Sequence, residues 1–192
     1  MHESEYWNSF KSGEVNGLEA LYGQYYQSLA NYGYKFTRDN VCIEESIQDL
    51  FRRLWQNREW IHHATAVKLY LYHSFRRILL GKLEYGLDAG DESPEEEAPF
   101  ELQLKNEHPL FSGERMSALL HRAQTLLGAM AHRQREILFL RYYEGLTHDE
   151  VAQVMNMHIS GVSRLMYRTL DHLRNKACNF SLLTLLYLLR HS

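Results

Sequence analysis

Ser160, Gly161, Ser163, Arg164 and Arg168 fall at spacings that gather small, polar and basic groups on one side of a helix. The chemistry such a surface offers is recognition: it is what a helix needs to enter the major groove of DNA. Reaction chemistry has no comparable candidates. The chain carries no HExxH, no GxSxG, no phosphate-binding glycine loop and no close His/Asp/Cys constellation, so neither catalysis nor a cofactor is expected. Cys42 and Cys178 lack ligand-like spacing, and the adjacent His62 and His63 point different ways on any regular element, so no metal site is expected.

The helix under that surface is read from Val162, Leu165, Met166, Leu170 and Leu173, which recur at helical intervals as one apolar stripe. Before it, Thr147 and Glu150 have the spacing of a capping box, predicting a helix start at Thr147. Val151, Ala152, Val154 and Met155 give that first helix a small inner face, and Asn156 suits the left-handed position that ends it. Two short helices so joined make a helix-turn-helix. The same pattern also fits an ordinary helical hairpin with solvated arginines.

Charge favours the nucleic-acid reading. Residues 115–192 hold ten Lys and Arg against five Asp and Glu, a net +5, while residues 84–114 hold one against ten, a net −9. Residues 1–83 are nearly balanced at +1, within a whole-chain charge of −3.

Further upstream, Leu18, Leu21, Tyr22, Tyr25 and Leu29 predict an amphipathic helix over about 16–37, and Arg38-Asp39-Asn40 reads as its break. A second helix over about 43–57 buries Ile47, Leu50, Phe51, Leu54 and Trp55 and turns Glu44, Glu45, Gln48, Asp49, Arg52 and Arg53 outward. Thr65 is a candidate cap for a third, from Val67 to about Leu83, in which Tyr70, Tyr72 and Phe75 alternate with Lys68, Arg76, Arg77 and Lys82. That mixture suits stacking on single-stranded bases, and it equally suits a buried helix with snorkelling bases. All three prolines lie between Glu84 and Glu114 among dense acids, a composition that forms no core of its own.

The fold class expected is therefore all-α: two small helical domains, 1–83 and 115–179, joined by an acidic flexible linker over 84–114, the C-terminal one containing the helix-turn-helix. His132 to Arg141 forms a helix that Gly145 stops, and residues 180–192 form an apolar tail too short to span a bilayer. The tail either packs on the second domain or awaits a partner. Without a signal peptide, a cytoplasmic location is the default, and no transmembrane segment is expected.

Together these residues resemble the sigma-70 family of bacterial RNA polymerase sigma factors, specifically the small two-domain extracytoplasmic-function (ECF) group, over residues 16–83 and 115–176. Leu21-Tyr22-Gly-Gln-Tyr-Tyr26 is similar to the family's "LYxxYY", and Glu44-Glu45-Ser-Ile-Gln48-Asp49-Leu-Phe51-Arg-Arg53-Leu54-Trp55 to its "AEDLVQEVFLRLW". The resemblance implies that Glu45, Gln48, Asp49 and Arg53 dock on the polymerase β′ clamp, with the β subunit a further partner. Residues 68–77 resemble "RAWLYRIARN", which implies −10 promoter contacts for Lys68, Tyr70, Tyr72, Arg76, Arg77 and Lys82. Where the family continues in arginines, this chain has Gly81-Lys82-Leu83-Glu84-Tyr85. Residues 135–152 are similar to "REVFLLRYFEGLSYEEIA", which implies that His158, Ser160, Gly161, Ser163, Arg164 and Arg168 read the −35 element. The function implied is a non-enzymatic promoter-specificity subunit, with core polymerase, promoter DNA and an anti-sigma factor as partners and no small-molecule substrate. The alternatives are a conventional helix-turn-helix regulator with an N-terminal sensing domain, and a helical scaffold that binds no DNA.

Overall fold

A computed structural model describes residues 3–61, 67–83, 98–103 and 114–176. The described residues are helical apart from turns, short connections and the irregular segment 98–103, and they fall into two compact units divided between Glu96 and Glu97.

The first unit packs α1 (Glu3–Lys11), α2 (Val15–Gly33), α3 (Asn40–Gln56) and α4 (Val67–Lys82). The tyrosine-rich stripe of α2 divides: Tyr25 and Leu29 are buried, whereas Tyr22 lies at the surface edge-on to Phe51 at 5.0 Å. Asp39 caps α3, its Oδ1 accepting from the amides of Val41 and Cys42 at 3.0 and 3.1 Å. The first helix, α1, was not anticipated: among its described side chains, Trp7 and Phe10 alone are buried. It lies so close to α2 that a Cβ on Gly17 would collide with the Phe10 backbone. Its Lys11 ammonium donates to the carbonyls of Arg58 and Glu59 beyond the end of α3.

The second unit contains α5 (Glu114–Gly128), α6 (His132–Leu138), a π-helical turn (Phe139–Tyr143), α7 (His148–Val154) and α8 (Ile159–Lys176). The expected helix over 132–141 widens after Leu138: the Glu144 amide reaches the Phe139 carbonyl at 3.0 Å and that of Leu146 reaches Leu140 at 3.0 Å. Phe139 stacks on Tyr143 at 4.8 Å across the wide turn, and Gly145, at φ +74°, redirects the chain.

The acidic stretch is not uniformly linker. Residues 98–103 lie on the second unit, with Phe100 fully buried edge-on to Phe139 at 5.8 Å and Leu102 also buried. The Phe100 amide bonds His132 Nδ1 at 2.8 Å, and the Gln124 amide donates to the Leu102 carbonyl at 3.2 Å. Two apolar side chains suffice for this docking, and the dense charge around them masked the signal. Thr65, His62, His63, Cys178 and the 180–192 tail lie outside the described residues.

Candidate nucleic-acid and polymerase interfaces

Local bonds set the angle between α7 and α8. Thr147 and Glu150 complete their capping box: the Thr147 amide donates to Glu150 Oε2 at 2.7 Å, and the Glu150 amide reaches Thr147 Oγ1 at 3.3 Å. At the other end Asn156 takes φ +50°, its amide bonding Gln153 at 3.2 Å while that of Met157 bonds Ala152 at 2.8 Å. These two bonds form a Schellman motif, which ends α7 abruptly and lets α8 begin within a few residues.

In α8, Val162, Met166, Thr169 and Leu173 face the core, and Thr169 Oγ1 closes on the Leu165 carbonyl at 2.8 Å. His158, Ser160, Ser163, Arg164 and Arg168 are exposed, with Gly161 half-buried beside them, so one helix face and its preceding turn assemble all six expected residues. His158 Nδ1 lies 3.0 Å from Ser160 Oγ. Sequence reasoning missed Tyr167, which is 73% exposed on this same face. Its spacing of four from Ser163 and three from Arg164 carried the signal.

Helix α4 behaves differently. Tyr72 and Arg76, expected at DNA, are buried with Leu71, Phe75 and Leu79. The Tyr72 ring packs 5.4 Å from Tyr32, with the Lys68 ammonium 5.5 Å from its centroid. In this register both side chains, expected at −10 DNA, lie in the core of the first unit. Of the other residues expected there, Arg77 is exposed and Lys68 and Tyr70 are half-buried. Between them burial, then the charges of Arg77 and Arg76, hold the His73 imidazole below its ordinary pKa.

Lys82 ends α4 and points to α3. Its Nζ lies 3.0 Å from Asp49 Oδ2 and 3.2 Å from Glu45 Oε2, and Arg52 Nη1 lies 3.2 Å from Asp49 Oδ1. The hydrogen bond from Lys82 lowers the Asp49 pKa against the opposing effect of burial. Burial pulls Lys82 down, but its bonds to Asp49 and Glu45 outweigh this and raise it. Thus the structure groups Lys82 with Glu45 and Asp49, not with the other residues expected at DNA. Gln48 and Arg53 are exposed nearby on the same helix.

Beyond α3, Trp60 is 77% exposed in a turn closed by its amide on the Asn57 carbonyl at 2.9 Å. No periodicity marked it. Among the described residues, no group of three or more His, Cys, Asp and Glu side chains is placed to hold a metal, and no helix is long and apolar enough to cross a membrane.

Residues 120–173 match the family model "Sigma-70, region 4", so α5 to α8 constitute a sigma-70 region 4 domain. A solved structure of CnrH in complex with the cytosolic domain of CnrY shares the fold, with a TM-score of 0.56 at 15% identity over 88% of this chain and 93% of that one. No curated protein matches significantly in sequence. The domain match lies in the second unit, and the likeness to CnrH is one of fold.

Proposed function

We propose that this chain is an ECF-type sigma factor that binds core RNA polymerase through the outer face of α3 and directs it to promoters, with α8 reading the −35 element. The observation that carries the reading is the assembled polar and basic face of α8 within a region 4 domain. Arg164 and Arg168 stand one turn apart there, able to contact phosphates and base edges together. The first unit supplies the −10 contacts through Arg77, Lys68 and Tyr70. Two modules of modest affinity on one chain then bind a two-part promoter far more tightly than either alone. CnrH was solved with the cytosolic domain of CnrY, and a comparable anti-sigma partner for this chain belongs to the same proposal.

The test is in vitro transcription with core polymerase from the source bacterium, comparing wild type with Gln48→Ala/Asp49→Ala. Promoter-dependent transcripts that weaken in the variant are expected. Absence of core binding, with salt-sensitive duplex binding retained, would instead make the chain a conventional helix-turn-helix regulator.

A further inference from the structure

Lys82 stands at the end of the helix expected at DNA, yet among the described residues the two carboxylates it pairs with belong to the helix expected at polymerase. Its ammonium has three donors, and Glu45 and Asp49 take two of them. A DNA phosphate approaching that nitrogen would meet two negative side chains and the negative end of the α4 dipole, all of which repel it. Asp49 in turn has both oxygens engaged, Oδ2 by Lys82 and Oδ1 by Arg52. The acidic side of α3 is therefore substantially neutralised before any partner arrives.

We infer that Lys82 is the built-in counter-ion of the α3 docking face and sets how strongly that face attracts a cationic protein surface. The inference rests on the polymerase reading of α3. A lysine or arginine of the partner competes with Lys82 for Glu45 and Asp49, and the partner's attraction to this face is the difference between the two interactions. Glu45, with 58% of its side chain exposed, is the carboxylate open to the newcomer, while Asp49 is the one Lys82 holds back. Removing the Lys82 charge leaves one more uncompensated negative charge on the face. Attraction to a basic surface then rises, and it depends more steeply on salt because the added charge is screened.

The experiment measures binding of the full chain to core polymerase, by fluorescence anisotropy at low and high salt, for wild type, Lys82→Gln, Lys82→Arg, Glu45→Gln/Asp49→Asn and the triple variant. Lys82→Gln is expected to bind about fivefold tighter at low salt, an advantage that shrinks as salt rises. Lys82→Arg, which keeps the charge, stays near wild type, and Lys82→Gln gives no gain in the Glu45→Gln/Asp49→Asn background. Binding of the same proteins to −10 fork DNA keeps its salt slope. Weaker or unchanged polymerase binding by Lys82→Gln overturns the inference. So does a DNA salt slope lower by about one, the mark of a lost phosphate contact. If wild type and Glu45→Gln/Asp49→Asn bind core equally, the polymerase reading of α3 itself has failed, and that outcome is visible without any Lys82 variant.

Discussion

Helices α4 and α8 carry similar supplies of bases and hydroxyl-bearing or aromatic side chains, and they use them in opposite ways. In α4 the basic and aromatic residues interleave with the apolar ones, so the helical period carries Tyr72 and Arg76 inward with Leu71, Phe75 and Leu79. In α8 the two sets separate. Val162, Met166, Thr169 and Leu173 take the inner side, and Ser160, Ser163, Arg164, Tyr167 and Arg168 keep the outer one. Composition nominates residues for a nucleic-acid surface, but only register elects them.

The contrast is broken most directly at Tyr72. Tyr72→Ala is expected to cost the first unit about 3–5 kcal/mol, as loss of a fully buried aromatic does, and to leave the second unit's transition in place. Urea denaturation followed by circular dichroism checks it. A variant that melts like wild type but no longer binds −10 DNA would return the ring to the DNA surface and erase the difference between the helices.

Phe100 sharpens the same contrast from the other unit, because a residue read as linker behaves as core. Phe100→Ala is expected to destabilise the second unit by about 3 kcal/mol, the lower end for a buried aromatic, since the segment that carries it is short. Limited proteolysis of the full chain should cut earlier within 98–103 in the variant, with the first unit's melting unchanged. Equal cleavage rates would mean that the Phe100–Phe139 packing does not hold this segment in place.

What was legible in the sequence follows physical lines. Strong periods were readable, so helices α2, α3 and α4 and the α7–α8 pair lie close to where the stripes of Leu21, Ile47 and Val162 put them. Local hydrogen-bond motifs were readable too, because Thr147, Glu150 and Asn156 act within a few residues of themselves. Helix α1 and the docked segment at Phe100 were not, since each depends on two apolar anchors meeting partners distant in sequence. The partition of α4 was not readable either: bases among aromatics suit both faces, and the choice belongs to Tyr32 and the rest of the core. The ion pairs of Lys82 join residues 33 and 37 positions apart, which no local pattern encodes.

At the exposed face of α8, Arg164→Ala is expected to weaken duplex binding by about 1–3 kcal/mol and to lower the salt slope by about one if the guanidinium meets a phosphate. The second unit should melt as wild type, because the side chain is exposed. Arg76→Ala is the matched control on α4. It should lower the first unit's stability while leaving the DNA salt slope intact, since Arg76 is only 6% exposed.

The smallest effect expected separates the two units by pH. Asp49 titrates below its ordinary 3.8 in the folded chain, so its contribution is fully present above 3.8 and is lost as pH falls through the lower folded value. Lys82 titrates above its ordinary 10.5, so its contribution is fully present below 10.5 and is lost as pH rises through the higher folded value. Between those limits the α3–α4 cross-link is constant. At its partly exposed position it is worth less than about 1 kcal/mol. The stability difference between wild type and Asp49→Asn should therefore be flat across neutral pH and vanish in strong acid, tracked alongside an NMR titration of the Asp49 carboxyl. Arg164 and Arg168 have no ion pair of this kind among the described residues, so Arg164→Ala should show no acid-dependent stability difference. A difference for Asp49→Asn that persists in strong acid would mean that the amide disturbs packing, and that charge pairing is not what joins Lys82 to α3.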